Sequence, residues 1–79
     1  MEEAMNNAER MEKDRRTDSL LRLKMVRQHT GLSPAIIYRR EAAGTFPSRV
    51  RIGERSVAWY KSDIDDFVAV GGKYRREDF

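Results

Sequence analysis

The chain has 79 residues, of which 39% are hydrophobic and 37% are charged, with a formal net charge of +3 and no cysteine. This length allows one small domain with a modest core, and the lack of cysteine excludes disulfides and thiolate metal sites. No apolar run reaches the roughly 20 residues of a membrane span, and the N-terminus has no signal-peptide pattern, so we expect a soluble cytoplasmic protein.

Charge is unevenly distributed along the chain. Residues 1–19 carry four basic and six acidic side chains, whereas the remaining residues carry twelve basic and seven acidic ones. The first nineteen residues also lack a sustained apolar face, which predicts a disordered or weakly helical polar leader. The part expected to fold is therefore more basic than the whole chain, which favours a polyanionic partner.

The first elements predicted after the leader are a short extended segment and a short helix. Leu20–Leu23 is apolar, which predicts an extended segment or a first pairing strand. Lys24–His29 follows as a helix with Val26 as its inward contact. Gly31 then supplies the permissive backbone that a tight turn needs.

A second helix, residues 33–43, is predicted directly after this turn. Ser33 occupies the N-cap position, and Gly44 closes the helix about three turns later. Ile37 is expected to face the core, with Tyr38 and Ala42 widening its inward stripe. Two helices joined by a turn that contains glycine form the helix-turn-helix pattern, whose second helix enters the DNA major groove.

The pattern then changes to the alternation that is typical of strands. Val50–Ile52 and Val57–Trp59 alternate with a period of two and are separated by four residues. This predicts a β-hairpin directly behind the second helix, in the position of a wing. Phe46 and Trp59 are expected in the core beneath it.

A final helix is predicted after the hairpin. Ser62 is expected as its N-cap, and Ile64, Phe67 and Val68 as its buried face. A pair of glycines ends it and leaves residues 71–79 as a polar tail. Residues 20–70 thus predict an α+β, mainly α domain: a small winged helix-turn-helix with a two-stranded β-hairpin wing and a C-terminal helix.

Several short pieces of the sequence carry a family resemblance. In chain order they are Thr30–Ser33, Ile37–Arg39, Gly44 with Phe46–Pro47, Gly53–Arg55 with Val57–Trp59, and Ser62–Asp65. The run Leu23–Val68 resembles the AlpA-type phage regulators and the excisionase-like proteins, small relatives of the MerR-type winged-helix DNA-binding domain. The chain departs from the family pattern at Arg40 and Glu41, where an apolar residue is common.

The resemblance implies a fold, a binding mode and a set of roles. The second helix would enter the major groove, and the wing would lie on the adjacent backbone or minor groove. Members of the family regulate transcription in prophages and integrative elements. Some act as recombination directionality factors, which bend attachment-site DNA so that an integrase excises rather than inserts.

The second helix carries the sharpest candidates for reading DNA. An arginine can hold O6 and N7 of guanine with two hydrogen bonds, and Ala35 or Ile36 can touch a thymine methyl. The alternative is that the arginines only solvate the helix, or that Arg40 pairs with a nearby acid. The candidate residues are Ser33, Pro34, Ala35, Ile36, Tyr38, Arg39 and Arg40.

Basic residues outside that helix are candidates for contacts with the DNA backbone. Arg49 and Arg51 share one face of the predicted strand and Arg55 lies at the tip, which suits phosphate or minor-groove contact. The alternative is an edge strand that charge keeps soluble. Lys24 and Arg27 on the first helix are candidates for bracing the backbone.

The sequence offers little for catalysis or metal binding. His29 is the only histidine, and without cysteine it cannot complete a zinc site. Ser33 suits a cap rather than a nucleophile, because no oriented histidine base or oxyanion hole accompanies it. We expect no cofactor, no metal and no enzymatic activity.

Two classes of function stay open. The preferred one is a sequence-specific binder of double-stranded DNA in a prophage or integrative element, a transcriptional regulator or an excision factor associated with the bacterial nucleoid. Cooperative self-association on DNA is expected because so small a domain covers little DNA, and an integrase is a further candidate partner. The competing class is a protein–protein adaptor, which an exposed apolar patch on residues 33–43 would mark.

Overall fold

The computed structural model describes residues 13–79, which form three helices and three strands. They are β1 (Leu20–Leu21), α1 (Leu23–Thr30), α2 (Pro34–Ala42), β2 (Val50–Arg51), β3 (Val57–Tyr60) and α3 (Lys61–Val70). Two 3-10 turns, Gly71–Lys73 and Arg76–Asp78, follow α3. This arrangement confirms the predicted fold class, a mainly α, α+β winged helix-turn-helix.

The turn between α1 and α2 is built by the residues that the sequence indicated. Gly31 has a left-handed backbone with φ of 74°, and its N–H donates to the Arg27 carbonyl at 2.7 Å. The Ser33 hydroxyl accepts a hydrogen bond from the Ile36 N–H at 3.4 Å, which confirms it as the N-cap of α2. Gly44, at φ of 79°, ends α2 as predicted.

The sheet has one more strand than the predicted hairpin. Its order is β1-β3-β2, and both pairs are antiparallel. Leu21 lies opposite Trp59, and Val50 lies opposite Ala58. The alternative in which Leu20–Leu23 opens with a pairing strand is therefore confirmed, and β3 is the central strand between two short edges.

The core takes one or two side chains from almost every element. Its fully buried hydrophobic members are Val26, Ile37, Phe46, Ala58, Trp59 and Ile64. The Trp59 indole N–H donates to the Pro47 carbonyl at 3.1 Å, so this buried polar atom is satisfied.

One residue of α3 that was predicted to be in the core is exposed. Val68 is 52% exposed, whereas Phe67 is buried as predicted. Phe67 packs instead against Tyr74, whose buried ring meets it edge-on at 5.7 Å between ring centres. Residues 71–79, expected as a polar tail, thus contribute an aromatic side chain to the core.

The predicted cap of α3 is also wrong. β3 runs directly into α3, which begins at Lys61, so Ser62 lies inside its first turn. The Asp18 carboxylate accepts hydrogen bonds from the Ser62 N–H at 3.1 Å and from the Ser62 hydroxyl at 2.6 Å. The Ser19 carbonyl accepts from the Lys61 N–H at 2.8 Å. These acceptors satisfy N–H groups that the start of a helix leaves unpaired.

Residues 13–19 of the expected leader pack against α3 through charged contacts. Lys13 pairs with Asp63 at 2.9 Å and also with Asp66. The Arg15 guanidinium pairs with Asp63 and lies 3.9 Å above the centre of the Tyr60 ring. The rest of the expected leader, residues 1–12, lies outside the described residues.

Asp18 makes the stability of the domain sensitive to acid. Burial raises the pKa of this carboxyl, but hydrogen bonds from the Ser62 hydroxyl, from the N–H groups of Ser19 and Ser62 and from Arg15 outweigh it. The pKa is therefore held well below its usual value. Because the unfolded pKa is near ~3.9, this stabilisation is complete above about pH 5 and decreases as the pH falls towards the folded pKa.

We predict that Asp18→Asn lowers the free energy of unfolding at pH 7 by about 1–2 kcal/mol, since an amide replaces an acceptor of charge-assisted hydrogen bonds. Urea denaturation between pH 2 and pH 7 measures it, and the difference from wild type should shrink below about pH 4. Asp14→Asn is the matched control, because Asp14 is exposed and, in the part of the chain that the structure describes, pairs only with the exposed Arg16. A constant difference at all pH values would contradict the assignment.

Candidate nucleic-acid interface

The outward face of α2 is formed by residues at helical spacing. Ala35, Arg39 and Ala42 are exposed, while Ile37 is fully buried on the opposite side. Within residues 13–79 the Arg39 guanidinium has no salt bridge. Ala42 is exposed, so it does not widen the inward stripe as predicted. Tyr38 is 38% exposed, but its ring centre lies 6.1 Å from that of the buried Trp59, so one side of the ring packs inward as predicted.

The other candidates on α2 lie at the edges of this face. Ser33 is exposed and its hydroxyl caps the helix, while Pro34 and Ile36 are half-buried. Arg40 follows Ile37 by three residues and is therefore turned towards the core side. Its guanidinium lies 6.0 Å from the centre of the Phe67 ring.

Glu41 joins α2 to the strand of the wing. Its side chain is 10% exposed, and its carboxylate accepts hydrogen bonds from the Arg49 N–H, at 2.6 Å, and from the Arg49 guanidinium. The same guanidinium lies 5.3 Å from the centre of the Tyr38 ring. The acidic residue at a position that is commonly apolar in the resembled family thus neutralises Arg49 and fixes it between helix and wing.

The two remaining wing arginines have different surroundings. Arg51 donates to the carbonyls of Gly53 at 3.2 Å and Glu54 at 2.7 Å, so it holds the turn of the hairpin. The Ile52 N–H closes the same turn by donating to the Ser56 carbonyl. Arg55 is exposed at the tip, and among residues 13–79 its side chain has no salt bridge.

A shallow basic cavity lies where α2 begins. It has a volume of about 510 Å³ and is lined by Lys24, Arg27, Gln28, Gly31, Leu32 and Ser33. Both cations are exposed, and the N-terminus of α2 adds the partial positive charge of the helix dipole. A second cavity of about 660 Å³ separates α2 from the wing, and its lining is Tyr38, Glu41, Ala42, Ser48, Arg49 and Arg76.

The described part of the chain shows no sign of a metal site or a membrane span. Residues 13–79 contain no group of three side chains that could ligate a metal ion. His29 uses its Nδ1 atom in a 2.8 Å contact with the Met25 carbonyl. No helix in the same range is long and apolar enough to cross a membrane.

Sequence reasoning missed three residues of this region. Ala42 lies seven positions after Ala35, so helical spacing alone would have placed it on the outer face. Glu41 was visible only as a departure from the family pattern. Arg76 had no signal, because its partners are carbonyl groups of residues 41 and 46 that are distant in sequence.

Comparison with known proteins places the chain in a family. The family model described as prophage CP4-57 regulatory protein (AlpA) matches residues 19–70. A search of curated proteins gives no match, and neither does a search of solved structures. The matched range contains α1, α2, the wing and α3 and covers well over half of the chain. The protein therefore belongs to the AlpA family of prophage regulatory proteins.

Proposed function

We propose that this protein is a prophage or integrative-element regulator that binds specific sites in duplex DNA, with α2 in the major groove and the wing on the adjacent backbone or minor groove. The observation that carries the proposal is the outward face of α2. It presents Arg39, which has no salt bridge within residues 13–79, between the small side chains Ala35 and Ala42.

The side chains of this face suit contact with base edges in the major groove. The major groove admits an α-helix, and alanines at both ends of the face let the backbone approach the base edges closely. Arg39 then reaches O6 and N7 of a guanine, and an alanine methyl can meet the methyl of thymine. The adaptor alternative required an exposed apolar patch on this helix, whereas a cation occupies the centre of the face.

Backbone contacts are assigned to cations around this face. Arg55 at the wing tip and Lys24 and Arg27 in the basic cavity are exposed, so their charges are free to neutralise phosphates. Ser33 borders the face and is assigned to its phosphate rim, whereas Pro34 and Ile36 are assigned to apolar contacts at its edge. Arg40 is turned towards the core side and is not assigned to base edges. Arg49 and Arg51 are assigned to holding the wing.

Arg39→Ala tests whether the outward face of α2 contacts base edges. We expect a loss of about 1–3 kcal/mol in binding to a specific duplex from the DNA around the protein's own gene, and a much smaller loss on mixed-sequence DNA. Fluorescence anisotropy with mixed-sequence competitor measures both, and Arg75→Ala removes the same charge from an exposed tail position as the control. Equal losses on both DNAs would make Arg39 a phosphate contact. A wild type without preference for any such duplex would favour the adaptor.

The salt dependence of binding distinguishes the roles proposed for Arg51 and Arg55. Each lost phosphate contact lowers the slope of log K against log salt by about 0.9, so Arg55→Ala should reduce it by about that amount. Arg51→Ala should weaken binding with the slope unchanged, because Arg51 contacts the turn of the wing. Titrations at four or more salt concentrations measure this. A reduced slope for Arg51→Ala alone would reverse the two assignments.

The size of the domain supports a proposal about assembly. A single domain as small as this buries little DNA surface, so several copies are proposed to load cooperatively on neighbouring sites, as direct repeats if they contact head to tail. On the bacterial nucleoid, such an array would either regulate transcription or, by bending attachment-site DNA beside an integrase, favour excision.

Binding to DNA with one site and with three adjacent sites tests this assembly. We expect occupancy on the longer DNA to rise more steeply with protein concentration than independent sites allow, as followed by gel shift. Circularly permuted fragments report bending in the same assay. Independent filling of the sites would reject self-association. Straight DNA together with an unchanged integrase product ratio would reject the excision role and leave transcriptional regulation.

A further inference from the structure

Arg76 lies where the tail, the end of α2 and the start of the wing meet. Its guanidinium donates to the Glu41 carbonyl at 2.6 Å and to the Phe46 carbonyl at 2.8 Å and 3.1 Å. Its backbone N–H donates to the Gly44 carbonyl at 2.9 Å. One tail residue therefore binds three carbonyl groups along the connection between α2 and the wing.

The partners of Arg76 are carbonyl groups at the end of α2 and in the connection that follows it. Glu41 is in the last turn of α2, and its carbonyl accepts a hydrogen bond from the Gly44 N–H at 3.1 Å and a second one from Arg76. A planar guanidinium offers five N–H donors in a fixed fork, so it can bind two such carbonyls at once, and its charge suits the negative end of the helix dipole.

The contacts of Arg76 continue directly into the wing. Glu41, whose carbonyl it binds, is also the residue whose carboxylate holds the N–H and the guanidinium of Arg49. Phe46 is fully buried and leads, through Arg49, to β2, which begins at Val50. Contacts therefore run without interruption from the tail through the end of α2 to the residue that precedes the first strand of the wing.

We infer that Arg76 is a positioning residue for DNA binding, which fixes the wing relative to α2 although it lies beyond the family match at residues 19–70. The inference rests on the proposed function, because a helix in the major groove and a wing on the neighbouring backbone must engage the duplex together. Without Arg76, α2 and the wing become ordered relative to each other only on binding, and the entropic cost of that ordering lowers the affinity.

The alternative role for Arg76 is a direct phosphate contact. Its side chain is half-buried and lines the cavity between α2 and the wing, next to Tyr38 and Arg49. The two roles differ in one observable quantity. A residue that touches phosphate contributes to the salt slope, whereas a positioning residue changes affinity at constant slope.

The test compares Arg76→Ala, Arg76→Lys and Arg75→Ala in the full chain, on the specific duplex and at several salt concentrations. Arg75 is the matched control, since it is the neighbouring exposed arginine and, among residues 13–79, its side chain hydrogen-bonds only to the adjacent Tyr74 carbonyl, at 3.4 Å. We expect Arg76→Ala to weaken binding on the order of tenfold with the salt slope unchanged. Arg76→Lys keeps the charge but loses the forked donors, so its affinity should lie between those of wild type and Arg76→Ala.

Hydrogen exchange in the free protein supplies a readout that does not involve DNA. The Arg49 amide, which donates to Glu41, should exchange faster in Arg76→Ala, while amides of α1 and β3 stay protected. Circular dichroism confirms that each variant is folded at the temperature of the assay. Where Arg76→Ala is unfolded, Arg76→Lys carries the comparison alone.

Each outcome separates the inference from the proposed function. A wild type that binds its duplex, with Arg76→Ala and Arg76→Lys equally tight, overturns the inference only. A salt slope that falls by about 0.9 in Arg76→Ala also overturns it, in favour of phosphate contact. If Arg75→Ala weakens DNA binding as much as Arg76→Ala does, the effect of Arg76 is one of charge alone and the inference is overturned. A wild type without sequence preference overturns the proposed function itself.

Discussion

The buried side chain of Trp59 holds together the elements that the proposed interface needs. It lies on β3, the central strand, opposite Leu21 of β1, and its indole N–H binds the Pro47 carbonyl ahead of β2. Its ring centre lies 6.1 Å from that of Tyr38 on α2. In a chain of 79 residues without disulfides, few side chains are available for such a role. The placement of α2 and of the wing therefore depends on one residue in the middle of a three-stranded sheet.

Short helices make the polar contacts of the chain ends important. The helices have eight, nine and ten residues, so a large share of their backbone groups lies in the first or last turn and lacks a partner inside the helix. Asp18 supplies acceptors at the start of α3, and Arg76 supplies donors at the end of α2. Both residues lie outside the range of the family match. The matched range gives the fold, and segments on either side of it complete the ends of two helices.

The sequence predicted those features whose causes are local. Gly31, Ser33 and Gly44 act through their own backbone or within three residues, so the turn and the limits of α2 were predicted correctly. Ser62 had the residue type of a cap, but β3 continues directly into α3 and the acceptor is Asp18, 44 residues away. Periodicity likewise predicted Val68 in the core, whereas Val68 is exposed and Tyr74 from the tail is buried against Phe67. Contacts between distant segments leave no periodic signal, which is why these two predictions failed.

The arginines of the proposed interface are not equally available for contact with DNA. Arg49 is neutralised by Glu41 and Arg51 is engaged with two carbonyls, whereas Arg39 and Arg55 have no salt bridge within residues 13–79. A charge that is already paired gains little from a phosphate, because its existing partner must first be given up. Arg49 and Arg51 instead limit the motion of α2 and the wing, which present the other two arginines. In the proposed function, specificity therefore depends as much on the arginines that hold α2 and the wing in place as on Arg39 and Arg55.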